Sequence, residues 1–170
     1  MGPLSPKPKI FKPISSSSPP CKRRLITPLM AFEAGDSIEV SSKEEGFLGS
    51  YYEATVVAKI TRNNQYVVEY KNLVEDDDLT APLREIVTAD EVRPAPPPLG
   101  QPEIRYFYGD VVDAFDNDGW WVGRVTGMDV NQGKYCVYFE YFGVEIAYHP
   151  SKLRLHQDWK KGRWSLASEY

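Results

Sequence analysis

The residues of this chain whose types and spacing could do chemistry are aromatic. The 170 residues include 11 Tyr, 7 Phe and 4 Trp, against two His and two Cys. Aromatic pairs, Tyr51-Tyr52 and Trp120-Trp121, open matching segments, and single rings, Tyr70 and Phe139, close the segments that follow. Rings gathered at the open end of a small barrel would form a box. Such a box suits a methylated ammonium, whose methyl groups lower the hydration cost while its charge still meets the ring quadrupoles. A neighbouring carboxylate adds a hydrogen bond to the N–H that mono- and dimethyl-lysine keep and a trimethylated head lacks.

Other chemistries find little footing. Cys21 and Cys136 are too few for a disulfide framework, and His149 and His156 leave no His-rich metal site. There is no Gly-rich phosphate loop, Cys/His metal spacing or nucleophile elbow, so neither catalysis nor a metal or cofactor is expected. No apolar run approaches the ~18 residues of a membrane helix.

Charge is unevenly spread. The chain is −4 overall, yet residues 1–30 carry six basic residues and no acid, which leaves −10 on the remainder. Residues 31–98 hold 14 acids and 6 bases, and residues 99–170 hold 10 acids and 8 bases. A body this acidic repels phosphate and attracts basic peptides. Residues 1–30, with seven prolines and the run Ser15–Ser18, read as a disordered basic tail. Lys22-Arg23-Arg24 within it is a weak nuclear-localisation signal, and the tail also fits a transit peptide or a dispensable extension.

The elements that must position the rings repeat. Gly35-Asp36-Ser37-Ile38-Glu39-Val40 matches Gly109-Asp110-Val111-Val112-Asp113-Ala114, and Gln65 to Tyr70 matches Lys134 to Phe139. Both units close on Val92-Arg93 and Leu153-Arg154. Tyr66, Val68 and Tyr70 alternate with Val67, Glu69 and Lys71, as Tyr135, Val137 and Phe139 do with Cys136, Tyr138 and Glu140. Tyr66 and Tyr135 therefore read as packing residues, and Cys136, within a strand, reads as a small buried hydrophobe. Short strands at this spacing predict an all-β chain of two small, strongly bent barrels, since a small sheet must curl to cover its own core and edges. The expected division is a tail at 1–30, barrels at 31–94 and 103–165, and a Pro-rich linker at 95–102. Pro94–Pro98 reads as a stiff spacer, with direct packing between the barrels equally open. The segment from Asp158 to Trp164 is expected to fold back on the second barrel, because two exposed tryptophans would be unusual.

Phe47-Leu48-Gly49-Ser50-Tyr51-Tyr52-Glu53-Ala54-Thr55-Val56, with Tyr70-Lys71-Asn72-Leu73 and Asp90-Glu91-Val92-Arg93-Pro94, resembles the first module of a plant tandem Agenet pair. Asp113-Ala114-Phe115, then Asp118-Gly119-Trp120-Trp121-Val122-Gly123, Tyr138-Phe139 and the run Leu153 to Trp159 resemble the second. The resemblance covers residues 31 to about 164. It implies two Tudor-like barrels of the Royal family and a nuclear chromatin reader of methylated or basic peptides.

Carrying Tudor-type cage positions over gives Tyr52, Tyr70 and Phe47 in the first unit. In the second it gives Trp121, Phe139, Phe115 and Tyr141, with Trp120 and Trp121 dividing the inward and ligand-facing roles. Leu73 stands where a further aromatic is usual. Acidic partners are Glu75, Asp76, Asp77 and Asp78 in the first unit, and Asp116 and Asp118 in the second. The implied activity is non-enzymatic binding of a basic, lysine-methylated histone H3 tail by a monomer in the nucleus, without membrane or cofactor. RNA binding, which occurs among related Agenet-type pairs, and a protein-interaction adaptor are the alternatives; the acidic body disfavours RNA.

Overall fold

Alternation along the chain decides which side of each strand is buried. In a computed structural model of the protein, which describes residues 31–99 and 105–167, Tyr66, Val68 and Tyr70 are buried while Val67 and Glu69 are partly exposed. Tyr135, Val137 and Phe139 repeat the pattern, with Tyr138 exposed. The tail expected at 1–30, and part of the expected linker, lie outside the described residues.

The first barrel consists of β1 (Ser37–Val40), β2 (Ser50–Ile60), β3 (Gln65–Val74), β4 (Pro82–Thr88) and β5 (Val92–Pro94). β2, β3 and β4 form an antiparallel meander, and β1 bridges β2 and β5. The second repeats this plan with β6 (Val111–Asp116), β7 (Gly119–Asp129), β8 (Lys134–Phe139), β9 (Val144–Tyr148) and β10 (Leu153–Leu155). Each long second strand breaks register once, between Val56 and Ala58 and between Val125 and Gly127. Such bulges bend a strand sharply enough for a five-stranded sheet to wrap its core.

The barrels are joined by backbone pairing. β2 and β7 run antiparallel with Ser50 opposite Trp121 and Tyr51 opposite Trp120, making one ten-stranded sheet. Val122 N extends the ladder by donating to Gly49 O at 2.8 Å. The direct packing left open from sequence is present, and the Pro-rich segment is itself tied to the junction, Gln157 Nε2 donating to Pro97 O at 3.0 Å. The hairpin β11 (Gln157–Lys160) and β12 (Arg163–Leu166) corrects a second expectation. It folds onto the junction rather than the second barrel alone: Gln157 O accepts from Arg93 Nη1 at 2.8 Å, and Trp164 lies 5.2 Å from the Arg93 guanidinium.

At the junction sits a buried charge network with approximate two-fold symmetry. Glu39 lies opposite Arg93 across β1 and β5, and Asp113 opposite Arg154 across β6 and β10. Arg93 Nη2 donates to Glu39 Oε2 at 2.7 Å, and Arg154 Nε to Asp113 Oδ2 at 2.8 Å. Arg154 also crosses to the other barrel, with Nη1 2.8 Å from Glu39 Oε1. Each guanidinium covers the first ring of an aromatic pair, Arg93 over Tyr51 at 3.4 Å and Arg154 over Trp120 at 4.1 Å. His156 Nδ1 donates to Asp113 Oδ1 at 2.6 Å.

Glu39 and Asp113 are 1 % and 0 % exposed, so each depends on its partners for what water would otherwise supply. Removing one charge from such a network typically costs about 3–5 kcal/mol, because the remaining ions stay buried without compensation. Glu39→Gln keeps the side-chain shape and removes the anion that Arg93 and Arg154 share. It should lower unfolding stability by about that amount in urea titrations; a loss below roughly 1 kcal/mol would mean the network is dispensable.

Candidate functional site

One end of the first barrel is open. A narrow cleft there is lined by Phe47, Tyr52, Tyr70, Leu73 and Leu83, with the acids Glu44 and Glu85. Tyr52 stands between the other two rings, 6.2 Å from Phe47 at 61° and 6.3 Å from Tyr70 at 87°. β2 and β3 place Tyr52 and Tyr70 side by side because Ala54 pairs with Tyr70. Phe47 arrives from the long connection 41–49 between β1 and β2, which also brings Glu44. The three first-unit cage positions taken from sequence are thus brought together. Leu73, where an aromatic is usual, contributes an aliphatic wall beside Leu83.

The acidic side of the cleft is not where the sequence placed it. Glu75, Asp76, Asp77 and Asp78 occupy the turn after β3, and none lines the cleft. Asp78 instead caps its own turn by accepting from Thr80 N at 3.0 Å. Glu85 takes the role from β4, two residues before buried Val87, and its Oε2 accepts from the Tyr70 hydroxyl at 2.7 Å. The signal available in sequence was β4 alternation, but the exposed Asp-rich run drew attention first.

The second unit is built differently at its matching end. Only Asn117 and Asp118, both with positive φ (45° and 62°), connect β6 to β7. That is the backbone of a two-residue hairpin turn, and it leaves no loop to supply a wall like Phe47. Trp121 and Phe139 are each 1 % exposed, covered by Phe142 at 5.5 Å and Tyr148 at 6.0 Å respectively. The Tyr148 hydroxyl donates to Asp116 Oδ2 at 2.8 Å, and Trp121 Nε1 to Asp116 O at 2.8 Å.

Trp120 and Phe115 point to the other side of the sheet. Their rings lie 5.1 Å apart, Trp120 Nε1 donates to Glu53 Oε1 at 3.1 Å, and Lys152 sits 5.0 Å from Phe115. The division between the tryptophans is therefore resolved: Trp121 turns inward and Trp120 lies under Arg154 at the junction. Tyr141 is exposed and packs over Gly49 of the first unit.

Electrostatics favour neutral walls and a cationic guest. Burial, followed by the charge of Glu85, raises the Tyr70 hydroxyl well above the usual tyrosine range. Burial pushes Tyr52 up to about 12, and the Asp118 carboxylate adds to the rise. Glu53 at the junction is held low: burial works against its charge, but hydrogen bonds from Lys71 and Trp120 outweigh it.

The Agenet domain family matches residues 35–97. The crystal structure of Arabidopsis thaliana AGDP1 AGD34 superposes with a TM-score of 0.72 at 39 % identity, covering 80 % of this chain and 90 % of that one. The chain belongs to the Agenet family. This Agenet pair is also similar to the ADCP1 tandem Agenet domain 3-4 in its crystal structure, with a TM-score of 0.70, 35 % identity, and coverage of 81 % and 89 %. Among curated proteins, the Agenet-domain-containing protein P1 of Arabidopsis thaliana is 37 % identical over 136 residues, 76 % of this chain. The DUF724 domain-containing protein 6 of the same plant is 33 % identical over 132 residues, also 76 % of this chain. The chain spans only 26 % and 18 % of those two proteins. Agenet domains are protein- and peptide-binding modules, a type consistent with the cleft described above.

The raised tyrosines give the Agenet pair a measurable signature. Burial pushes Tyr52 up to about 12 and does the same to Tyr106, a buried residue whose hydroxyl donates to Leu153 O at 2.8 Å, against an ordinary value near 10, so the unfolded chain loses these protons first. Stability should hold below pH ~10 and fall as pH climbs from ~10 towards ~12, because the native state retains protons that the unfolded state has released. Phenolate absorbance should show these tyrosines ionising late, together with the loss of native circular dichroism. Full ionisation at pH ~10 in the folded state would contradict their burial.

Proposed function

We propose that this Agenet pair is a non-enzymatic chromatin reader acting in the nucleus. It binds a basic histone H3 tail carrying a methylated lysine, and the methylammonium enters the first barrel. The observation that carries this reading is the convergence of Phe47, Tyr52 and Tyr70 with Glu44 and Glu85 on one open cleft. Ring faces attract the cation, carboxylates match its charge and any N–H it retains, and Leu73 and Leu83 meet its methyl groups. Net −8 over residues 31–98 suits the lysines and arginines that flank a modified histone residue.

The cation–π contribution of a partly desolvated cage is only about 1–2 kcal/mol, so flanking charge contacts must supply much of the affinity. Micromolar binding, about −8 kcal/mol, is the expected range for a short peptide held this way. Calorimetric titration with H3-tail peptides, unmodified and methylated at each common lysine, tests the reading. One methylated peptide should bind tighter than its unmodified form, and Phe47→Ala should cut that preference by roughly ten-fold, the equivalent of one lost ring wall. Equal binding of every peptide would reduce the interaction to charge attraction. Absence of peptide binding, with salt-sensitive binding of RNA, would favour the nucleic-acid alternative.

A further inference from the structure

Two of the three aromatic walls of the first-barrel cleft are held from outside that barrel. Gly119, the first residue of β7, faces the Tyr52 ring: a Cβ there would fall 2.8 Å from Cε1 and 2.9 Å from Cζ. Its backbone is not in the left-handed region, so close approach rather than conformation is what requires glycine. The Trp121 indole meets the same ring edge-to-face at 6.2 Å and 80°.

Phe47 is positioned through the turn that carries it. Ser50 N and Oγ donate to Phe47 O at 3.0 and 2.6 Å, closing the turn around Gly49. Gly49 O accepts from Val122 N at 2.8 Å, and its α-carbon lies under the Tyr141 ring, where a Cβ would come within 3.1 Å. Tyr70 differs, being held by Glu85 of its own barrel.

We propose that the second barrel is the frame of the first barrel's reading cleft. Gly119, Trp121 and Tyr141, with the Val122 amide, are positioning residues that fix the Tyr52 and Phe47 rings. The reader is therefore the tandem rather than the first barrel alone. This rests on the methyl-lysine reading of the cleft. The physical reason is tolerance: cation–π attraction requires ring faces within about 6 Å of the charge, and recognition sites work only within about 0.5 Å of their productive geometry.

The test uses the full chain, Gly119→Ala and Tyr141→Ala. Each is titrated with the methylated H3-tail peptide that the unaltered protein binds best and with its unmodified form. Assigned ring resonances of Phe47 and Tyr52 are also recorded without peptide. Gly119→Ala should move the Tyr52 resonances and lower the methylated-to-unmodified affinity ratio by roughly ten-fold, the loss expected for one misplaced ring. Affinity for the unmodified peptide should stay within about two-fold, since the flanking charges are untouched. Tyr141 is 65 % exposed, so Tyr141→Ala leaves the core intact should Gly119→Ala not fold. It should move the Phe47 resonances and lower the same ratio. Unmoved rings with an unchanged ratio would reduce these contacts to packing and overturn the proposal. Should the unaltered protein bind both peptides alike, the reader reading fails separately, and the rings alone then decide: moved resonances support the frame and unmoved ones overturn it.

Discussion

The structure depends on two carboxylates buried between two barrels. Glu39 and Asp113 have almost no contact with solvent, so their charges are tolerable only where Arg93 and Arg154 meet them. Arg154 reaches both acids, so the pairing cannot be completed within either barrel by itself. Burying ions is a poor source of net stability but a strict condition on geometry, because misplacing one partner strands the rest. The short β2–β7 ladder needs such a condition. Two residue pairs of backbone pairing would be a weak joint without the guanidinium groups laid over Tyr51 and Trp120 and the hairpin closing over Arg93.

Repeat symmetry is kept at this joint and broken at the barrel mouths. The joint uses equivalent positions from both units: acid on the first strand, aromatic on the second, arginine on the last. The mouths diverge because the connection between the first two strands is 41–49 in one unit and only Asn117–Asp118 in the other. The long connection delivers Phe47 and Glu44 to an open cleft. The short one lets the β6–β7 hairpin pass close against the first barrel, where Gly119 meets Tyr52. One unit therefore gains a cleft from the same difference that gives the other its proximity to it.

Much of the fold was legible because it follows from local pattern. Alternation identified Tyr66, Val68 and Tyr70, and later Tyr135, Val137 and Phe139, as inward-facing, and all six are buried. The first-unit rings Phe47, Tyr52 and Tyr70 came instead from the resemblance to Tudor-type cages, and they meet in space. The acidic wall was missed because an exposed Asp-rich turn is conspicuous in sequence, whereas Glu85 is one acid within a strand. What brings Glu85 to the cleft is the lateral pairing of β3 with β4. Alternation also foresaw that Trp120 and Trp121 face opposite ways; that Trp120 lies with Phe115 under Arg154 at the junction came only from the docking of the barrels.

The sequence by itself determined the strands, the two-fold repeat, the acidic body and the aromatic residues available for a cage, since each is set by side-chain type and spacing along one chain. Tertiary structure alone decided which mouth is open, which acids line it and which barrel holds the rings in place. Those outcomes turn on contacts between residues far apart in the chain, such as Tyr52 with Gly119 and Glu39 with Arg154. No period or motif encodes such contacts; they exist only once both barrels have closed and docked.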